Sequence, residues 1–192
     1  KERGRKMKLI LPERISEEMY RAYIADWGAG QIFPAASDPK GKDYAEWLRD
    51  RVKGRTIVPS HLVPATLLFM VDDAETKIIG GIDIRHRLND YLLEFGGHIG
   101  YGIVPSERGK GYAKEQLRLA LPVAKSLGIS RALITCNDWN TASARTIEAC
   151  GGVLEDRREE EGAVFRRYWI DIPLKTLETE RLLLRQWTMV QF

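Results

Sequence analysis

The chain has 192 residues, 44% of them hydrophobic and 30% charged, a balance that suits one packed core and points away from a disordered or membrane-embedded polypeptide. Thirty basic side chains against twenty-seven acidic ones leave a net charge of +3, too small a surplus to argue for a nucleic-acid-binding field. The cysteines, Cys136 and Cys150, form no C-x-x-C pair, which argues against a zinc site or a disulfide framework; with no signal peptide or long apolar span, they predict a cytoplasmic protein that binds neither metal nor membrane.

The basic run of Lys1, Arg3, Arg5, Lys6 and Lys8 reads as a solvated end, followed by a short strand at 8–11. Ile15, Met19, Ala22 and Tyr23 recur at helical spacing until Gly28 and Gly30 stop the pattern. A loop with Pro34 and Pro39 leads to a second helix from about Asp43, in which Tyr44, Trp47, Leu48 and Val52 share a face and Gly54 ends the run. Strands at 66–71 and 77–85 flank the turn-forming segment 72–76 and predict a β-hairpin. After a loop at 88–97, a third strand at 98–104 ends at Pro105, which has no N–H for a sheet ladder.

Ala113, Leu117, Ala120, Leu121, Ala124 and Leu127 trace one face of a helix over about 111–127, with Gly128 as its stop. Pro122 lies inside it and predicts a kink, since the lost backbone bond costs ~3 kcal/mol if nothing compensates. A buried-type strand at 132–136, a short helix at 141–150 ended by Gly151 and Gly152, and a strand at 164–172 follow. The charged run from Arg157 to Glu161 beside Gly162 reads as a solvated hairpin turn. The resulting order, β-α-α-β-β-β-α-β-α-β, predicts a mixed α/β domain over 1–173: helices flanking a mostly antiparallel sheet that contains one parallel crossover. The tail 174–192, with Leu182, Leu183 and Leu184, resembles the opening strand of another such domain and is expected to pack on this domain or on a second copy, a homodimer.

The segment from Gly96 to Ala113 runs strand, basic glycine-containing loop, helix start. Such a junction binds phosphate, because the first helical amides have no intrahelical acceptor, glycines admit close approach, and the helix dipole adds positive potential. A nucleotide P-loop requires G-x-x-x-x-G-K with Ser or Thr next, and a dinucleotide fingerprint requires its glycines in the turn, not inside the strand as at Gly100 and Gly102. Neither pattern fits. Arg108-x-x-Gly111-x-Ala113 instead resembles the R/Q-x-x-G-x-G/A pyrophosphate motif of the GCN5-related N-acetyltransferase (GNAT) superfamily. The resemblance extends over roughly residues 66–172, through Val104-Pro105, Leu127-Gly128-Ile129, the strand containing Thr135, and Asn140-x-x-Ser143.

The resemblance implies acetyl-CoA as co-substrate. Ile103 and Val104 would pair through their backbone with the pantetheine amides, and the amides of Gly109, Lys110, Gly111, Tyr112 and Ala113 would hold the pyrophosphate. Arg108 and Lys110 would add charge, Asn140 would reach the pantetheine arm, and Ser143 would lie near the sulfur. Transfer to an amine also needs a proton acceptor, an oxyanion donor and a proton for the departing thiolate. Many relatives place a glutamate where this chain has Gly96-Gly97-His98, so His98 leads as the base, with His86 and Glu94 in reserve. Many also place a tyrosine where this chain has Ile147; Tyr101 is the alternative hydroxyl. The implied function is acetyl transfer from acetyl-CoA to a small-molecule or peptide amine by direct attack in a ternary complex. A catalytically silent CoA-binding module of the same fold is the alternative.

Overall fold

The computed structural model describes residues 6–173; the expectations for the basic run up to Arg5 and for the tail 174–192 lie outside the described residues. Strands β1 (Met7–Ile10), β2 (Ala65–Asp72), β3 (Ile78–Arg85) and β4 (Ile99–Ile103) form one antiparallel sheet in that order. Strands β5 (Arg131–Asn137), β6 (Val153–Glu160) and β7 (Ala163–Asp171) form a second, with β7 in the middle. Helices α1 (Glu17–Asp26) and α2 (Tyr44–Lys53) lie between β1 and β2 in sequence, α3 (Tyr112–Ser126) joins β4 to β5, and α4 (Thr141–Ala149) joins β5 to β6. This is the mixed α/β arrangement expected, but the expected parallel crossover forms no ladder: every strand pairing among the described residues is antiparallel, and the sheet is divided between β4 and β5.

The strands of the hairpin β2–β3 lack polar alternation because both of their faces are covered. Leu67, Phe69 and Val71 pack with Tyr20, Tyr23, Trp27 and Trp47 of the α1–α2 layer, while Leu68, Met70, Ile82 and Ile84 pack with Leu117, Ala120 and Ala124 of α3. Each fully buried large side chain contributes ~1.5–3 kcal/mol, and the stack of Tyr20 on Trp47, centroids 4.1 Å apart, anchors the first layer. Helices α1 and α2 start at side-chain caps: Ser16 Oγ accepts from the Met19 amide at 3.2 Å and Asp43 Oδ1 from the Glu46 amide at 2.8 Å.

Two expectations are corrected. The charged run at 157–161 is not a turn for most of its length: residues 157–160 belong to β6, and the turn is confined to Glu161 and Gly162, both at positive φ. This edge strand shows no apolar face because it is held by its ladder to β7 and by ion pairs, Arg157 to Asp138 at 2.8 Å and Arg167 to Asp156 at 2.8 Å. The loop at 88–97 contains a π-helical turn, Leu92–Gly96, closed by Gly97 N–H donating to Leu92 O at 2.6 Å. Helix α3 runs as one element through Pro122. Among the described residues no helix is long and apolar enough to cross a membrane, and no cluster of His, Cys, Asp and Glu could hold a metal ion.

Candidate active site

Strands β4 and β5 form no ladder with each other. They meet where the His98 amide donates to Leu133 O at 2.7 Å and the Leu133 amide donates to His98 Nδ1 at 2.9 Å. Beyond this junction a gap opens between the sheets. Arg85 N–H donates to His98 O and Val104 N–H to Ile79 O, and bonded and non-bonded pairs alternate along an antiparallel ladder. The main-chain groups of Tyr101 and Ile103 therefore point away from β3, toward the gap. Ile103 O accepts from Arg108 Nε at 3.0 Å, so the Ile103 N–H and both groups of Tyr101 line that edge.

The turn from β4 into α3 is shaped by Gly109 at φ +77° and Gly111 at φ +82°, neither with an atom within 4 Å of where a Cβ would stand. Glycine serves here for its left-handed backbone rather than for lack of room. Gly111 caps α3 without a side-chain bond, and the first helical bond runs from the Glu115 amide to Gly111 O at 3.4 Å. The amides from Gly109 to Lys114 thus have no intrahelical acceptor at the positive end of a fifteen-residue helix. This cradle fits a diphosphate.

The basic side chains of the turn have protein partners. The Arg108 guanidinium lies 5.3 Å from the centroid of the Trp27 ring, besides its bond to Ile103 O. Lys110 Nζ pairs with Glu107 at 2.8 Å, and Lys77 pairs with the same carboxylate at 2.7 Å; these bonds hold the Glu107 carboxyl below its usual range. Their first effect is to fix the turn's shape.

Across the gap, three predicted residues come together. Tyr101 Oη lies 2.9 Å from Ser143 Oγ, and the Ser143 amide donates to Asn140 Oδ1 at 3.0 Å, so that Asn140 caps α4. Burial pushes the Tyr101 hydroxyl up to about 12, which keeps it protonated and able to donate. Ile147, where relatives carry tyrosine, is fully buried, and its Cγ2 stands 2.5 Å from where a Cβ on Gly152 would sit. Ile147→Tyr is therefore expected to overpack this contact and lose ~1–3 kcal/mol of stability in urea titrations, without supplying an acid to the gap.

The proposed bases are placed apart. His98 lies at the junction, 8% exposed, with Nδ1 accepting from Leu133 N–H, so its proton is on Nε2. Burial, aided by the Arg85 guanidinium, lowers its pKa to about 4. A proton arriving at Nδ1 has to displace the Leu133 amide. His86 Nε2 lies 2.8 Å from Thr66 Oγ1, its pKa lowered by burial and by Arg55. Glu94 is paired with Arg158 of β6.

One cluster lies outside the sequence expectations. A cavity of about 410 Å³ on the α2 side of the β2–β3 hairpin has Asp83, Arg85 and Arg51 in its lining. Asp83 is 5% exposed, and burial pushes its carboxyl up against the opposing pull of Arg85 and Arg51. Arg85 joins this cavity to the gap: its Nε lies 4.0 Å from Asp83, and its Nη1 donates to Gly96 O at 2.9 Å and Gly97 O at 3.1 Å, just before the junction. The sequence signal is a carboxylate in mid-strand between Ile82 and Ile84.

Residues 10–153 match the family described as "Acetyltransferase (GNAT) domain". No curated protein matches the chain. Among solved structures, a spermidine N-acetyltransferase SpeG chimera from Vibrio cholerae and hSSAT superposes with a TM-score of 0.58 at 16% identity, over 86% of this chain and 95% of that one. The acetyltransferase of GNAT family from Streptococcus pneumoniae gives 0.59 at 17%, over 88% and 100%. A third, yncA from Salmonella typhimurium, assigned as an acetyltransferase and solved with its cofactor acetyl-CoA, gives 0.54 at 12%, over 91% and 98%. At these identities the likeness is one of fold.

Proposed function

The chain belongs to the GNAT acetyltransferases, and on that premise we propose that it moves an acetyl group from acetyl-CoA to an amine by direct attack within a ternary complex. The observation that carries this reading is the run of unpaired amides from Gly109 to Lys114, opening beside the gap between β4 and β5. Acetyl-CoA, when bound, supplies an activated thioester. The turn amides hold its diphosphate, and the β4 edge at Tyr101 and Ile103 aligns the arm that enters the gap. The Ile103 N–H is the main-chain donor placed to stabilise negative charge on the acyl oxygen. Tyr101, bonded to Ser143, is the hydroxyl placed to return a proton to the departing sulfur.

His98 is then a positioning residue. Its ring and amide stitch β4 to β5 at the foot of the gap, and so fix how far the strands diverge. Tyr101→Phe is expected to lower kcat by about ten- to a hundredfold and to leave CoA affinity unchanged; unchanged kcat would remove Tyr101 from the mechanism.

The experiment that tests the reading is thiol release from acetyl-CoA against chemically diverse amines, with the acetylated product confirmed by mass. A silent CoA-binding module is favoured by one observation: each proposed base is held by the protein, His98 Nδ1 by the Leu133 amide, His86 Nε2 by the Thr66 hydroxyl and Glu94 by Arg158. That reading predicts stabilisation by CoA with no thiol release from any amine.

A further inference from the structure

Resting on the acetyl-transfer reading, we infer that the cavity over Asp83 is the acceptor pocket and that it takes an amino-acid-like zwitterion with an apolar side chain. The Asp83 carboxylate receives the ammonium group and Arg51 the carboxylate.

Asp83 is the sole acidic side chain lining the cavity among the described residues. Its nearest charged neighbour is Arg85, at 4.0 Å and outside hydrogen-bond distance. A buried carboxylate in that state is stabilised by a cationic donor. Arg51 projects from α2 into the same space, makes no ion pair among the described residues, and keeps its Nε buried without a hydrogen-bond partner. One unbonded anion and one unbonded cation therefore face a single small cavity, whose remaining walls include Val58, Leu62, Leu67 and Leu92.

A polyamine fits this lining poorly, since two guanidiniums stand against its second cation; an ammonium and a carboxylate on one molecule satisfy both charges. The location also suits attack at the gap. Asp83 is opposite Gly100 in the β3–β4 register, one strand from the β4 edge, and the Arg85 guanidinium, which lies over Gly100, links the cavity to the carbonyls of Gly96 and Gly97 at the junction. The step assigned to Asp83 is transfer of one ammonium proton to its carboxylate, which leaves a neutral amine with its lone pair free. Burial raises the basicity of that carboxylate.

The test compares leucine, methionine and phenylalanine with their carboxamides and with spermidine. Thiol release from acetyl-CoA gives turnover, and calorimetry without acetyl-CoA gives acceptor binding. The amino acids are expected to exceed both other classes in kcat/KM by about tenfold or more. Arg51→Gln should lower kcat/KM for the amino acids by about tenfold or more and lower that for their carboxamides by much less, so that the preference for the acid is erased. Asp83→Asn should abolish amino-acid binding and turnover with CoA affinity intact. Preference for spermidine or the carboxamides, or an equal loss on both substrates in Arg51→Gln, overturns the assignment and leaves acetyl transfer standing. CoA binding without thiol release from any amine overturns acetyl transfer itself, and this pocket's role with it.

Discussion

Valine at position 111 is expected to weaken CoA binding by about a hundredfold or more while the protein stays folded. Gly111 holds φ +82° in open space, so no neighbour collides with the new side chain. The left-handed backbone, however, costs an L residue ~1–2 kcal/mol, and a β-branched one is the least suited to it. The turn is expected to relax by rotating its amides away from the diphosphate, with the isopropyl group on the anion's side. Charge-assisted hydrogen bonds contribute ~1.5–3 kcal/mol each, so losing two accounts for the expected drop.

Gly128→Val is the control. Gly128 lies just past the other end of α3 at φ +89°, also with nothing within 4 Å, so it should show the strain in a lowered Tm and keep full CoA affinity. Calorimetric titration of both variants with CoA separates the two effects. Equal affinity in wild type and Gly111→Val would remove the diphosphate from this turn.

The second large effect is at His98. The ring is held neutral in the folded protein with a pKa of about 4, against ~6.5 in the unfolded chain. Above pH 6.5 both states are neutral there and stability does not depend on the ring. As pH falls from 6.5 toward 4 the unfolded chain takes up the proton and the folded protein does not, so stability drops by about 3 kcal/mol. Below 4 the folded ring protonates as well, and this contribution levels off.

His86 is also lowered by burial and by Arg55 and adds a slope of the same sign, so the comparison must be made against a variant. His98→Asn keeps an oxygen to accept from the Leu133 amide and should lose the His98 part of the slope. His98→Ala leaves that amide buried without an acceptor, costing ~1–3 kcal/mol at neutral pH. Denaturant unfolding between pH 4 and pH 8 reads both. A positioning role also requires His98→Asn to retain most of its turnover; a loss of about a hundredfold with stability and CoA affinity intact would make His98 the base.

The sequence announced the parts of this molecule whose cause is local. Strand β4, Pro105, the two glycines and the start of α3 follow one another within fifteen residues, and each acts through its own backbone, so this strand–turn–helix junction was readable before any packing was known. Strand β6 was not readable, because its charged residues carry no apolar period and its conformation is imposed by β7. The bond from the Leu133 amide to His98 Nδ1 links residues 35 apart in sequence, and no spacing rule predicts it. The Asp83 cavity needs α2, β3 and the turn at 89–92 in one place, which only the fold provides.

The most direct test of an anion cradle between β4 and α3 is a titration of the ¹⁵N-labelled protein with CoA, followed by amide chemical shifts. The amides of Gly109 through Ala113 should show the largest changes, saturating together, with smaller ones at Tyr101 and Ile103. Saturable CoA binding that leaves those five amides unmoved would contradict the assignment, as would the absence of any binding.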